Sequence, residues 1–357
     1  MKLRRAVWLM LCLIGLVLAS GTVFAQSAKK LFLFNWSQYM DPAIIKAFEK
    51  KYDVEVVRSF YDSNPQLFAK LRSGGASQYD VIFPSNYYVP RLIKTNLIQP
   101  LNHDEIPNLD NLKSRFRDPP YDPQDRYSVP YQWGTTGIAY NADDLADVPK
   151  SWSILFDRGV NPDNPFALIP DGQVTVAAAC AYLGIGWRCK GEKSWKKAAQ
   201  LLIKTKTRSN FNGFVSGTPI LQQLARGNAD AGMTFNGDYM FYKKRNPEAF
   251  SDIEYFIPKE GGELWVDAMA IPVNAPHPKL AHKFINFILK AKVGAQLSNW
   301  NAYATPNEIS QPMLKKSLQK PPITPTQNQM KRLRFTPSLK GENLHMFQQL
   351  WTDIKSR

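Results

Sequence analysis

Short apolar runs and helical stripes alternate along most of the chain. Leu31-Phe32-Leu33-Phe34 reads as a buried strand ending at the polar and aromatic segment Asn35-Trp36-Ser37-Gln38-Tyr39. Asp41 then caps a helix with Pro42 at its first position and Ile44, Ile45 and Phe48 on one face. Residues 54–60 form the next strand, residues 65–71 a helix closed by Gly74-Gly75, and Val81-Ile82-Phe83 a third strand. The polar turn Ser85-Asn86 and a helix over residues 91–94 follow. Strand, helix, strand, helix, strand predicts an α/β unit with a mostly parallel sheet.

The same grammar restarts after Trp133-Gly134-Thr135-Thr136. Strands are expected over residues 137–141, 166–169, 230–235 and 265–272, with helices over 194–204, 219–226 and 278–290. Residues 321–327, rich in Pro and Thr, read as an exposed connection. Two such units exceed one comfortable core, so two lobes are expected. In open α/β sheets ligands bind beyond the carboxyl ends of strands, and here those ends carry Trp, Tyr, Asn and Asp.

One segment does not fit this grammar. Residues 6–20 are continuously apolar, behind Lys2, Arg4 and Arg5 and ahead of Val23-Phe24-Ala25. That is the three-part form of a secretory leader, with cleavage expected after Ala25; an uncleaved N-terminal anchor is the alternative. At 15 residues the run is shorter than the roughly 20 that span a bilayer. Cys12 lies mid-run rather than at the cleavage point, which argues against a lipoprotein.

Export changes how the cysteines and charges read. Cys180 and Cys189 are what remains after the leader, nine positions apart, and two thiols this close in an exported chain are expected to pair; two free buried thiols are the alternative. Loss of Lys2, Arg4 and Arg5 lowers the formal charge from +15 to +12. The remaining Lys and Arg are dispersed and no nucleic-acid module accompanies them, so the basic balance reads as a solvated surface, with no nucleic-acid partner, rather than a polyanion site. Across 357 residues, 44% hydrophobic and 12% aromatic content excludes whole-chain disorder.

Catalytic signatures are missing. No phosphate-binding loop, dinucleotide fingerprint or zinc-protease motif occurs, and Ser216 is off-centre in Gly213-Phe214-Val215-Ser216-Gly217, so it makes no nucleophile elbow. The histidines, His103, His277, His282 and His345, are scattered, so neither a metal nor a cofactor is expected. What the chain does carry, at predicted strand ends, is aromatic planes (Trp36, Tyr39, Tyr87, Tyr88, Phe235, Trp265, Tyr303) interleaved with Asp171, Asp238 and Asp267. Ring faces attract ammonium groups and carboxylates offset their desolvation, so the combination suits an organic cation.

At these residues the chain resembles the periplasmic spermidine/putrescine-binding proteins of polyamine ABC importers. The resemblance rests on Phe34-Asn35-Trp36-Ser37-Gln38-Tyr39, Tyr79-Asp80-Val81-Ile82-Phe83-Pro84-Ser85, Pro130-Tyr131-Gln132-Trp133-Gly134-Thr135-Thr136-Gly137-Ile138, Pro258-Lys259-Glu260-Gly261-Gly262 and Trp265-Val266-Asp267-Ala268-Met269-Ala270-Ile271-Pro272. The tail, residues 321–357, looks closer to the putrescine-binding branch. The resemblance implies a two-lobed, hinge-linked type II solute-binding fold. Residues 26–134 with about 265–303 would form lobe 1, and 135–264 with about 304–357 lobe 2. It implies a periplasmic, monomeric receptor that carries a small amine to an ABC permease in the inner membrane, without catalysis.

Residue by residue, Trp36, Ser37, Tyr39, Ser85, Tyr87 and Tyr303 match family pocket positions. Phe235 stands where Trp is usual, and Asp238 and Asp267 match acids that hold one ammonium end. Gln38 replaces a usual acid, and Val174 falls where the family's acidic pocket residue is expected, with Asp171 retained nearby. The resemblance therefore implies one acidic end and one neutralised end. A receptor for another solute (a monoamine, an amino acid or an anion) and, more remotely, an exported hydrolase or sensor on the same scaffold are the competing readings.

Overall fold

The computed structural model describes residues 29–357. The leader expected over residues 1–25 lies outside the described residues. Ten strands join one sheet: β1 (Lys29–Trp36), β2 (Val54–Tyr61), β3 (Val81–Ile82), β4 (Ser128–Asn141), β5 (Phe166–Leu168), β6 (Phe211–Phe214), β7 (Ala231–Phe235), β8 (Ile253–Phe256), β9 (Gly262–Ala270) and β10 (Leu333–Arg334). The main path runs β2-β1-β3-β9-β4-β7-β5-β6, with β8 beside β4 and β10 beside β9.

The first unit forms as the pattern predicts. Asp41 accepts the Ala43 N–H at 2.9 Å, Pro42 opens the helix Pro42–Tyr52, and Ile44, Ile45 and Phe48 are buried under β1 and β2, which run parallel. Leu31, Leu33, Phe48 and Phe284 anchor one core, and Phe34, Tyr61, Leu67 and Ile82 the core on the sheet's other face. A further core gathers Ile138, Phe166, Leu202, Ile220 and Met233 around β5 and β7, and the C-terminal helix Gly341–Ser356 adds Phe347 and Ile354 to it. In this core Cys180 and Cys189 are bridged.

Between the cores lie two strands whose full length the pattern does not predict. β4 extends over 14 residues from Ser128, nine residues before the strand expected at Gly137, and it runs antiparallel to β9, with Ser128 opposite Ala270 and Thr136 opposite Glu263. Thirteen of its 14 residues are buried, so no alternation of polar and apolar positions marks it. β4 passes from one core to the other, with Val129 and Tyr131 in the first and Ile138, Ala139 and Tyr140 in the core around β5 and β7, and β9 runs beside it. Trp133 and Val266 pack at this junction with Phe116, Ala304, Leu318 and Ile323, and Trp133 Nε1 donates to the Thr305 carbonyl at 3.1 Å. The connection over residues 321–327 is thus not simply exposed: Ile323 is fully buried, and the Pro322 carbonyl accepts from Asn236 Nδ2 at 3.0 Å.

Candidate functional site

Strand ends and helix starts from both halves converge at this junction. Trp36 ends β1, and Ser85 and Tyr87 sit in the turn after β3. Trp265 and Asp267 project from β9, and Tyr303 follows the helix Ala291–Asn301. From the other half, Asp171 caps the helix Gly172–Tyr182, Phe235 ends β7, and Asp238 lies in the first turn of the helix Asn236–Arg245.

Asp267 is buried, and Ser85 Oγ donates to its Oδ1 at 2.6 Å. Ser85 is held in turn by Asn64, whose Oδ1 accepts the Ser85 N–H at 3.0 Å and whose Nδ2 reaches Ser85 Oγ at 3.0 Å and the Tyr87 hydroxyl at 3.3 Å. The Tyr87 hydroxyl donates to Asp171, which also accepts the Val174 N–H at 3.1 Å. An unbroken run of hydrogen-bonded groups therefore links Asp267 to Asp171. Burial pushes the Asp267 carboxyl up to about 7, against the opposing hydrogen bond from Ser85.

Asp238 is served separately. Tyr303 Oη donates to its Oδ1 at 2.5 Å and Thr218 Oγ1 to its Oδ2 at 3.1 Å. Gly237 is required here: a Cβ would come within 2.1 Å of the Tyr303 ring. Burial raises both Asp238 and Asp171 above the ordinary carboxylate range, with the tyrosine hydroxyls opposing.

Aromatic rings close the space between. Trp265 meets Tyr303 edge-on at 5.1 Å and Phe235 at 6.0 Å, and Tyr39 stands edge-on to Tyr303 at 5.4 Å. Trp36 packs on Tyr61 at 4.6 Å while its Nε1 donates to the Phe83 carbonyl at 2.8 Å. Three polar atoms here are buried without a partner: the Tyr39 and Tyr121 hydroxyls and Trp265 Nε1. The charge of Asp267 acts on both tyrosines, adding to the effect of burial in raising them.

Ten of the twelve residues singled out from sequence thus gather around the junction. Ser37 and Gln38 instead lie in an exposed turn, with Gln38 in the left-handed region at φ 52°. Sequence reasoning missed Asn64, Tyr121 and Glu263. Nothing in the sequence around Asn64 and Tyr121 distinguishes them from turn residues. Glu263 carried a signal, because strand alternation sets residues 263, 265 and 267 on one face of β9. Among the described residues, none of Asp171, Asp238, Glu263 and Asp267 forms a salt bridge with a lysine, arginine or histidine. Nor, among the described residues, do three or more His, Cys, Asp or Glu side chains group to hold a metal ion.

Four acids without a lysine, arginine or histidine partner among the described residues, with aromatic rings beside Asp238 and Asp267, lie where two α/β cores are joined by antiparallel strands, an arrangement that suits an organic cation. The family model of bacterial extracellular solute-binding proteins matches residues 43–326. The chain belongs to this family. Among extracellular solute-binding proteins it is 30% identical over 349 residues to the putrescine/cadaverine-binding protein of Pseudomonas aeruginosa, covering 95% of this chain and 97% of that one. A solved structure from Listeria monocytogenes superposes with a TM-score of 0.84 at 32% identity, over 92% of this chain and 99% of the other. The spermidine/putrescine ABC transporter substrate-binding protein of Streptococcus pneumoniae does so with a TM-score of 0.77 at 25% identity, over 92% and 99%. These likenesses establish the two-lobed type II binding-protein fold.

Proposed function

We propose that this chain is the extracytoplasmic receptor of an ABC importer, and that it captures a small polyamine such as putrescine or spermidine between its lobes. The observation that carries the reading is the set of acids, Glu263 and Asp267 buried and Asp171 and Asp238 half-buried, without a protein cation among the described residues. Taking a carboxylate out of water is costly unless an opposite charge joins it, and a ligand ammonium supplies that charge. The amines in the names of the Pseudomonas and Streptococcus relatives, putrescine, cadaverine and spermidine, support the same class.

In this reading residues 26–134, described from residue 29, and about 265–303 form lobe 1, residues 135–264 and about 304–357 form lobe 2, and β4 and β9 are the hinge strands; the segment after residue 304 first bonds back to lobe 1, Asn307 Nδ2 donating to the Leu289 carbonyl at 2.7 Å and Ser310 Oγ to the Ala291 carbonyl at 2.7 Å. Asp238 and Asp267 hold one ammonium; Trp36, Tyr39, Phe235, Trp265 and Tyr303 wall the methylene chain; Ser85, Tyr87 and Asp171 serve the other end. Ser37 and Gln38 lie at the rim. The chain works as a periplasmic monomer, released from its leader after about Ala25, and it delivers the amine to a permease in the inner membrane.

Thermal-shift and calorimetric titration with putrescine, spermidine, 4-aminobutyrate and citrate test the reading. Stabilisation by the polyamines and not by citrate is expected, because a ligand that binds only the folded state raises its melting temperature. Stabilisation by citrate or 4-aminobutyrate alone overturns it.

A further inference from the structure

We infer that Glu263 supplies a second carboxylate to the Asp171 end of the cleft and thereby selects ligands with a second cationic amine. The inference rests on the amine-receptor reading and adds a residue that the family resemblance does not assign.

The geometry begins with β9. Strand alternation puts Glu263 on the same face as Trp265 and Asp267, and Thr136, directly opposite on β4, shares that face. Glu263 is 2% exposed. Thr136 Oγ1 donates to its Oε2 at 2.6 Å and Thr336 Oγ1 to its Oε1 at 2.7 Å. Among the described residues no lysine, arginine or histidine pairs with it. Two neutral hydroxyls bond its oxygens, and neither would compensate a negative charge there.

Its electrical neighbours are those of the cleft. The charges of Asp171 and Asp267 both act on Glu263, and its own charge acts on the Tyr87 hydroxyl that donates to Asp171. Burial, reinforced by these acids, pushes the Glu263 carboxyl up to about 8. In the unliganded protein at neutral pH it therefore holds a proton. An ammonium arriving beside Asp171 favours the carboxylate, so that proton passes to solvent as the second amine binds. The Asp171 end then matches a cationic amine even though Gln38 and Val174 are neutral.

A purely structural Glu263, tying β4 to the segment before the C-terminal helix, makes a different forecast. Calorimetry with putrescine and with 1-aminobutane, which has the same carbon chain and one amine, separates the two. Wild-type protein is expected to prefer putrescine by about tenfold or more, the scale of one charged hydrogen bond. Glu263→Gln keeps the shape and can still bond both threonines; it should cut that preference by about tenfold while 1-aminobutane affinity changes by less than about twofold. A second measurement needs no variant. In buffers of different ionisation enthalpy at pH 7, putrescine should release more protons from the wild-type protein than 1-aminobutane does. An unchanged preference in Glu263→Gln, or equal proton release by the two ligands, overturns this inference and leaves the amine-receptor reading standing. Failure of both amines to bind wild type overturns the receptor reading, and the inference with it.

Discussion

The two ends of the cleft are built from the same pair of groups and differ in what stands behind them. At each end a tyrosine of the first half donates its hydroxyl to an aspartate of the second, Tyr303 to Asp238 and Tyr87 to Asp171. Each aspartate also sits at the start of a helix, where backbone N–H groups favour negative charge. Behind Asp238, among the described residues, the further hydrogen-bonding group is the Thr218 hydroxyl. Around Asp171 lie the hydrogen-bonded run through Tyr87, Asn64 and Ser85 to Asp267 and the field of Glu263. Equal first contacts thus lead into unequal reserves of charge. The end whose sequence looked neutralised is the one with the larger acidic surround.

The largest effect that would break this picture is expected at Asp267, which belongs to the charge balance of both ends. Asp267→Asn leaves the Ser85 contact possible but removes a buried charge facing the ligand. Loss of a buried ionic partner costs about 3–5 kcal/mol, so putrescine affinity should fall by about two to four orders of magnitude in calorimetric titration. Undiminished binding by this variant would end the amine reading.

A smaller effect sharpens the difference between the ends. Asp238→Asn should weaken putrescine and 1-aminobutane alike, by about tenfold to a hundredfold, because it removes one of the two acids that hold the first ammonium. Asp171→Asn should weaken putrescine by about tenfold and leave 1-aminobutane nearly unchanged, since Asp238 and Asp267 still hold the single ammonium. Equal losses in the two variants for both ligands would mean that the ends are equivalent.

How much of this was legible in the sequence follows the same physical lines. The β1–β2 unit was readable because its cap, first-turn proline and one-sided apolar stripe are local signals, and the structure keeps them at Asp41, Pro42 and Phe48. The aromatic and acidic residues of the cleft were readable because they cluster where strands end. The hinge strands were not readable at full length: burial on both faces erases alternation, and Gln132, Gly134, Thr135 and Thr136 look like a linker when no partner strand is in view. The helix Gly341–Ser356 was missed because only Phe347 and Ile354 of its residues are buried. Glu263 was passed over because it follows Gly261-Gly262 and reads as part of a turn; its alternation with Trp265 and Asp267 becomes a strand signal only when the strand is carried back to Gly262, as the pairing with Thr136 does.

The smallest expected effect is in the pH dependence of stability, and it bears on the same asymmetry. Glu263 and Asp267 are raised to about 8 and about 7 by burial, from ordinary values near 4. Between those limits the folded protein keeps protons that the unfolded chain has already released. Stability therefore falls as pH rises through that window, the reverse of the usual salt-bridged carboxylate. The contribution of these two groups is complete below pH of about 4 and is lost as pH passes about 8. Melting curves of unliganded protein at pH 5 and pH 8 should differ more in wild type than in Glu263→Gln, by about a few degrees. Saturating putrescine should shrink the wild-type difference, because ligand ammonium groups replace the protons and affinity itself climbs from pH 5 to 8. The comparison isolates Glu263, since every surface group that titrates in one protein also titrates in the other. If the two proteins lose stability in parallel across this range, Glu263 is already ionised when the cleft is empty, and the Asp171 end has no proton to exchange for an amine.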